Sequence, residues 1–299
     1  MTPTTSLNRR DLMLAGSLGA GAALFASQAF PADRSARAAA ARSLPVDDPD
    51  FALRAWARLN GDPAGRTTWS THGGMVYGFL PQGDDVALAA FARHLYQYRA
   101  VMVRRMRFDA DGSLRIRQRA WSWYANAQTG EFHPEFVNPY TGLTVQCPPR
   151  MSPVGEQVMT RNGPPPGAPS PFPAELSITG RPLRLDYAVV GPHVWARREQ
   201  FSRFRPSDTT WYKLEADIVT HAARLDDLQE HGLDHVPNTL SHNLVAEWQT
   251  WMNMHGSPGH ILFVGQGASV FRAGDLPDTV QGTIEQEFPG TLAAGLAAA

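Results

Sequence analysis

The chain has 299 residues, of which 43% are hydrophobic, 10% aromatic and 18% charged, a balance that predicts a packed globular protein rather than a disordered one. Twenty-seven basic against 28 acidic residues leave a formal net charge of −1, without the basic surplus that phosphate-backbone binding needs, so nucleic acid is not expected as a partner. Cys147 is the only cysteine, which excludes an intrachain disulfide, a CxxC redox pair and a multi-cysteine metal site, and with Lys213 the only lysine a P-loop lysine is not expected.

Residues 1–40 read as an address. Arg9-Arg10 stands directly before a weakly apolar run over 12–30 that Gly16, Gly19 and Gly21 interrupt, and Ala38-Ala39-Ala40 follows. This resembles a cleaved twin-arginine export signal, and glycine and alanine make the run a poor membrane span. The expectation is a periplasmic protein with no stable membrane insertion after cleavage. Nicotinamide or nucleotide cosubstrates are then scarce, and no cofactor is expected.

Along the mature chain, apolar residues at 51, 52, 55, 56 and 59 recur at helical spacing, and Asn60-Gly61-Asp62 closes that helix. Short β-rich runs at 67–71 and 75–80 follow, separated by Gly73-Gly74. Residues 86–103 favour helix first and strand later. Asp109 to Ser113 joins two strands, 101–108 and 114–124, as a hairpin. In the second, Arg115, Arg117, Arg119 and Trp121 alternate with Leu114, Ile116, Gln118 and Ala120, predicting one charged face and one less polar face. The Pro-rich stretch 162–173 cannot be helix or central strand and reads as a loop. Strands are expected at 183–190, 193–204 and 211–220, a short segment at 222–229, and a strand or helix at 239–254. A short buried run at 261–264 leads into Gly265-Gln266-Gly267, which reads as a β-turn. Eight to ten short strands at hairpin spacing predict one mostly β domain over 41–299. The expected form is a single antiparallel β-barrel or barrel-like sandwich with a few short helices.

Several segments carry a family resemblance. They are Trp69 with Val76-Tyr77-Gly78, Trp123-Tyr124, Asn138-Pro139-Tyr140-Thr141-Gly142, His193 to Arg198, Ser241 to Trp251, and Pro258-Gly259-His260. Their order resembles the bacterial and fungal family catalogued as domain of unknown function 1838. The resemblance covers roughly residues 45 to 290 and implies a mostly antiparallel β fold. It supplies no mechanism and no catalytic residue.

The chemistry therefore has to be sought in the residues themselves. The ten histidines include no HExxH pair, and a metal site is not expected. As a strand, Glu247-Trp248-Gln249-Thr250-Trp251 sets a carboxylate beside large rings, with His242 and Asn243 just before it. Burial beside tryptophan raises a carboxyl pKa toward the range of a general acid or base. Glu247, His242 and His260 are accordingly the expected catalytic groups. Strand alternation puts His193, Trp195 and Arg197 on one face with Arg198 on the other, and Arg197 is the expected clamp for an anionic group. Tyr77, Trp195, Trp248, Trp251 and Asn243 complete the expected binding surface, although tryptophans of this kind also build ordinary cores. The function expected is a cofactor-independent lyase or isomerase acting on a small aromatic or apolar molecule. The alternative is a non-catalytic periplasmic carrier for such a ligand. An interior holding carboxylate, histidine and arginine favours the enzyme, and an apolar one favours the carrier.

Overall fold

The computed structural model describes residues 44–45, 47–81, 92–165, 174–178, 185–206, 213–230, 232 and 234–297. The expected export signal and residues 166–173 of the Pro-rich stretch lie outside these. The chain enters through α1 (Pro49–Asn60), which Asp48 caps by accepting from the Asp50 N–H at 2.9 Å and which Pro49 starts. Its apolar spacing buries Leu53, Trp56 and Leu59.

A meander follows: β1 (Ala64–Phe79), β2 (Ala92–Phe108) and β3 (Leu114–Ala125). The small hairpin β4 (Glu135–Val137) and β5 (Thr144–Gln146) precedes β6 (Arg150–Met151) and β7 (Gly155–Met159) at the edge of β3. The second half runs β8 (Ala174–Ile178), β9 (Asp186–Val190), β10 (His193–Pro206) and β11 (Lys213–Arg224). It then passes through the short α2 (Leu225–Gln229) to β12 (Asn238–Ala246) and β13 (His260–Val270). Helices α3 (Asp278–Glu287) and α4 (Thr291–Ala294) end the chain.

Eleven of these strands form one antiparallel sheet, in the order β6-β3-β2-β1-β13-β12-β11-β10-β8, with β7 on β3 and β9 on β10. The protein is thus mostly β and antiparallel with few helices. Among the described strands the sheet does not close, because no strand at the β3 edge pairs with one at the β10 edge. The sheet is nonetheless strongly curved. Five strand spacings separate β2 from β10, about 24 Å in a flat sheet at ~4.8 Å each. Yet Arg104 of β2 and Arg198 of β10 line one cavity of about 260 Å³.

Both faces of the sheet are covered. On the convex side Trp69 and Trp121 stack with centroids 5.9 Å apart and pack with Val280, Ile284 and Leu292 of the C-terminal helices. The Trp121 indole N–H donates to Thr291 Oγ1 at 3.2 Å. This double burial changes the expected character of β3. Arg119, assigned above to a charged face, is buried at 3% exposure beside Trp121, while Arg117 two residues earlier is exposed. The helices cover only part of that face.

Two other expectations are corrected. β1 runs unbroken through Gly73-Gly74, and β13 runs unbroken through Gly265-Gln266-Gly267. The glycines are strand residues, neither a break in β1 nor a turn in β13, for a reason that the concave face supplies.

Candidate active site

Strand register builds a row across four strands on the concave face. Tyr98 pairs with Gly74, Gly74 with Gly265, and Gly265 with His242. With no side chain at the two middle positions, the Tyr98 phenol crosses β1 and β13 and reaches His242 Nδ1 at 2.8 Å. A Cβ on Gly265 would stand 2.1 Å from Tyr98 Oη. The next row sets Gly267 beside His72, where a Cβ would fall 2.5 Å from His72 Cβ. The glycines are the space in which the large side chains lie.

His242 is the centre of the cluster. Its ring stands edge-on to His72, with centroids 4.9 Å apart. Its Nε2 lies 3.1 Å from Asp217 Oδ1 on β11. Arg198 donates from Nη2 to Asp217 Oδ2 at 2.9 Å and from Nη1 to Gln200 Oε1 at 2.9 Å. Asp217 Oδ1 is buried and lacks a well-aligned donor, so the His242 contact is close but off-axis. A carboxylate can only accept, so in the neutral ring a proton on Nε2 faces Asp217 and Nδ1 accepts from the Tyr98 O–H.

Asn60, at the end of α1, lines the cavity. Arg104 on β2 donates from Nη1 to the Asn60 carbonyl at 2.8 Å, and its Nη2 touches Met102 Sδ. Leu59, Met102, Val219 and Leu240 give the cavity an apolar part, and His72, His221, Asp217 and the two arginines give it a polar one.

Burial dominates the electrostatics. It pushes the His72 pKa down to about 3, with the neighbouring His242 adding to the shift and Asp217 opposing it. Burial also pushes His221 down to about 4, against the hydrogen bond that its Nδ1 shares with Asn238 Oδ1 at 2.8 Å. At Asp217, burial raises the pKa. The His242 contact and the Arg198 charge together outweigh it and hold the carboxyl below its usual range. Tyr98 is raised, by burial first and by Asp217 second. At neutral pH the site therefore holds a carboxylate, a neutral phenol, and neutral imidazoles at His72 and His221.

Of the residues expected from sequence, only His242 belongs to this cluster. Asn243 points to the opposite face of β12 and shares a hydrogen bond with Ser241 Oγ at 3.4 Å. The strand ends at Ala246, so the alternation assumed for 247–251 does not exist. Glu247 is half-buried in the bend that follows, its backbone N–H donating to Leu214 O at 3.3 Å. Thr250–Met252 is a 3-10 turn, held by Asn138, which donates to Met252 O at 3.0 Å. The Asn138-Pro139-Tyr140-Thr141-Gly142 motif is thus a structural clasp.

Trp248 donates to Pro258 O at 3.2 Å and packs on Tyr140, whereas Trp251 packs among Tyr96, Tyr124 and Phe136. Both belong to the apolar core beside the cavity. His260 stacks on Phe79 at 5.0 Å, and Tyr77 stands 5.4 Å from His94. The β10 alternation is real, but its phase is opposite to the one expected. Trp195 and Arg197 face away from the cavity, and Arg197 makes exposed ion pairs with Asp186 at 3.4 Å and Glu199 at 3.3 Å. Arg198 takes the inner side.

Sequence reasoning passed over His72, Tyr98, Arg104, Arg198, Asp217 and His221. The available signal was the glycines at 74, 265 and 267 inside otherwise β-rich runs, which mark close approach of other groups. A second cavity of about 290 Å³ lies beside Tyr96, Tyr124 and Cys147, whose thiol burial pushes up to about 11, and it holds no comparable charged cluster. Among the described residues no three of His, Cys, Asp or Glu are placed to share a metal ion, and no helix is long and apolar enough to cross a membrane.

No curated protein matches the chain. The pattern defining the family described as "Protein of unknown function (DUF1838)" matches residues 65–295, from the start of β1 to the C-terminal helices. That stretch contains every strand of the curved sheet and all of the cavity's charged groups, and the chain belongs to this family.

Proposed function

We propose that this protein is an exported acid–base enzyme of the lyase or isomerase type, acting on a small organic molecule held in the concave cavity. The observation that carries the reading is Asp217. Its carboxylate lines the cavity, with Oδ2 accepting from Arg198 at 2.9 Å and Oδ1 standing 3.1 Å from His242 Nε2. A carboxylate in the cavity wall is the group that would take a proton from carbon. The electron pair left behind moves into an adjacent carbonyl, and the neutral His72 imidazole donates a hydrogen bond to the oxygen that gains charge. His242, itself hydrogen-bonded to Tyr98, stands against Asp217 and steadies its position and charge. Returning the proton to a neighbouring carbon completes an isomerisation with no further reactant.

A carrier would need none of these groups, and the interior is not apolar. The test is solvent deuterium exchange into a panel of small ketones and carboxylic acids, followed by mass spectrometry. Asp217→Asn is expected to lower exchange by at least ~100-fold, the lower range for acid–base assistance. Glu247→Gln is expected to leave it unchanged. Ligand binding with no exchange by the unaltered protein would make it a carrier.

The export half of the proposal rests on Arg9-Arg10 and the weakly apolar run after it. Arg9→Lys with Arg10→Lys is expected to strand the precursor in the cytoplasm, because the guanidinium pair is what the pathway recognises. Fractionation followed by immunoblotting reads the result, and undiminished periplasmic accumulation would refute it.

A further inference from the structure

The charges around the cavity do not balance. Arg198 and Asp217 neutralise one another at 2.9 Å. His72 and His221 are kept neutral by burial. Arg104 is left over. Its Nη1 donates to uncharged oxygens of Asn60, its Nε is sealed from solvent with no hydrogen-bond partner, and no carboxylate among the described residues pairs with it. The charge acting on it is that of Arg198, which repels it, and burial with this repulsion pushes its pKa down to about 10. A guanidinium remains charged there at neutral pH, and an uncompensated charge in a desolvated site is costly unless something arrives to pair with it. The apolar wall of Leu59, Met102 and Leu240 lies in the same cavity.

We propose that the substrate is a small monoanion, a carboxylate with an apolar or aromatic body, whose charged group docks on Arg104. This rests on the cavity being the substrate site proposed above. The carboxylate supplies the missing counter-charge, and the body lies along the apolar wall of the cavity that Asp217 also lines. Arg104 binds and orients the anion, while proton transfer stays with Asp217.

The experiment is calorimetric binding of acetate, benzoate, phenylacetate and cinnamate, each beside its neutral amide, to the unaltered protein at pH 7. At least one carboxylate is expected to bind tenfold or more tightly than its amide, with affinity falling as salt rises. Arg104→Met keeps length and removes charge. It is expected to abolish that preference while melting no lower than wild type, since it removes the uncompensated charge. If no carboxylate outbinds its amide, or if Arg104→Met binds the carboxylate as tightly as wild type, the proposal falls. Should Arg104→Met fail to fold, the paired ligands on the unaltered protein decide alone. Deuterium exchange separates the two proposals. Carboxylate binding through Arg104 without exchange supports the anion site and refutes the enzyme. Exchange into neutral ketones, undiminished in Arg104→Met, supports the enzyme and refutes the anion site.

Discussion

Gly74→Ala is expected to destabilise the protein by about 3 kcal/mol, the upper range for forcing extra atoms into a packed interior. A Cβ at this position would stand 2.0 Å from the Val264 carbonyl oxygen and 2.6 Å from Gly265 Cα. Both are backbone atoms of the adjacent strand, so no side-chain rotation relieves the overlap. β1 or β13 must move, and with them the row that joins Tyr98 to His242. For a domain of this size the corresponding fall in melting temperature is roughly 10 °C, measurable by circular dichroism. Gly282→Ala is the control. It lies inside α3 with nothing within 4 Å of the added atom, and exchanging glycine for alanine in a helix is expected to stabilise by up to about 1 kcal/mol. If the two variants melt together, the close strand approach is not a constraint on the fold.

The second large effect is acid sensitivity between pH 7 and 4.5. The unfolded chain protonates its histidines near their ordinary value of 6.5, whereas the folded protein holds His72 down to about 3 and His221 down to about 4. Between those limits the unfolded state binds more protons, so stability is full above 6.5 and is lost as pH falls. At pH 4.5 each residue has given up about two pH units at ~1.4 kcal/mol each, about 5 kcal/mol together. His235, also lowered by burial, acts in the same direction, and Asp217 adds its own loss only below the ordinary carboxylate range. Urea unfolding at the two pH values measures the difference directly. His72→Gln combined with His221→Asn is expected to remove more than half of it, whatever the variant's stability at pH 7. An unfolding free energy equal at pH 7 and 4.5 would mean that these rings titrate normally in the fold.

Where sequence and structure agree, the signals are local. The apolar spacing of α1, capped by Asp48, and the Asp109–Ser113 turn between β2 and β3 depend on neighbours a few residues away. Alternation along β10 was equally visible, since it follows from strand geometry. Its phase was not. Either Arg197 or Arg198 could face inward, and the choice depends on which face of the sheet forms the cavity. The segment after Ala246 shows the same limit. Its rings and carboxylate looked like a strand-borne site, but Asn138, more than a hundred residues away, draws Thr250–Met252 into a turn.

The glycines divide the two kinds of information most sharply. Composition by itself determined that the chain is packed and that one cysteine leaves no intrachain disulfide and no multi-cysteine metal site. Read as local punctuation, Gly73-Gly74 separates two β runs and Gly265-Gln266-Gly267 makes a turn. Only the tertiary structure decided that β13 lies between β1 and β12. That order sets the glycines side by side and lets Tyr98 of β2 reach His242 of β12 and, beyond it, Asp217 of β11. The site is built from residues far apart in the chain that meet through strand order and curvature. Both are properties of the whole sheet, and no window of sequence contains them.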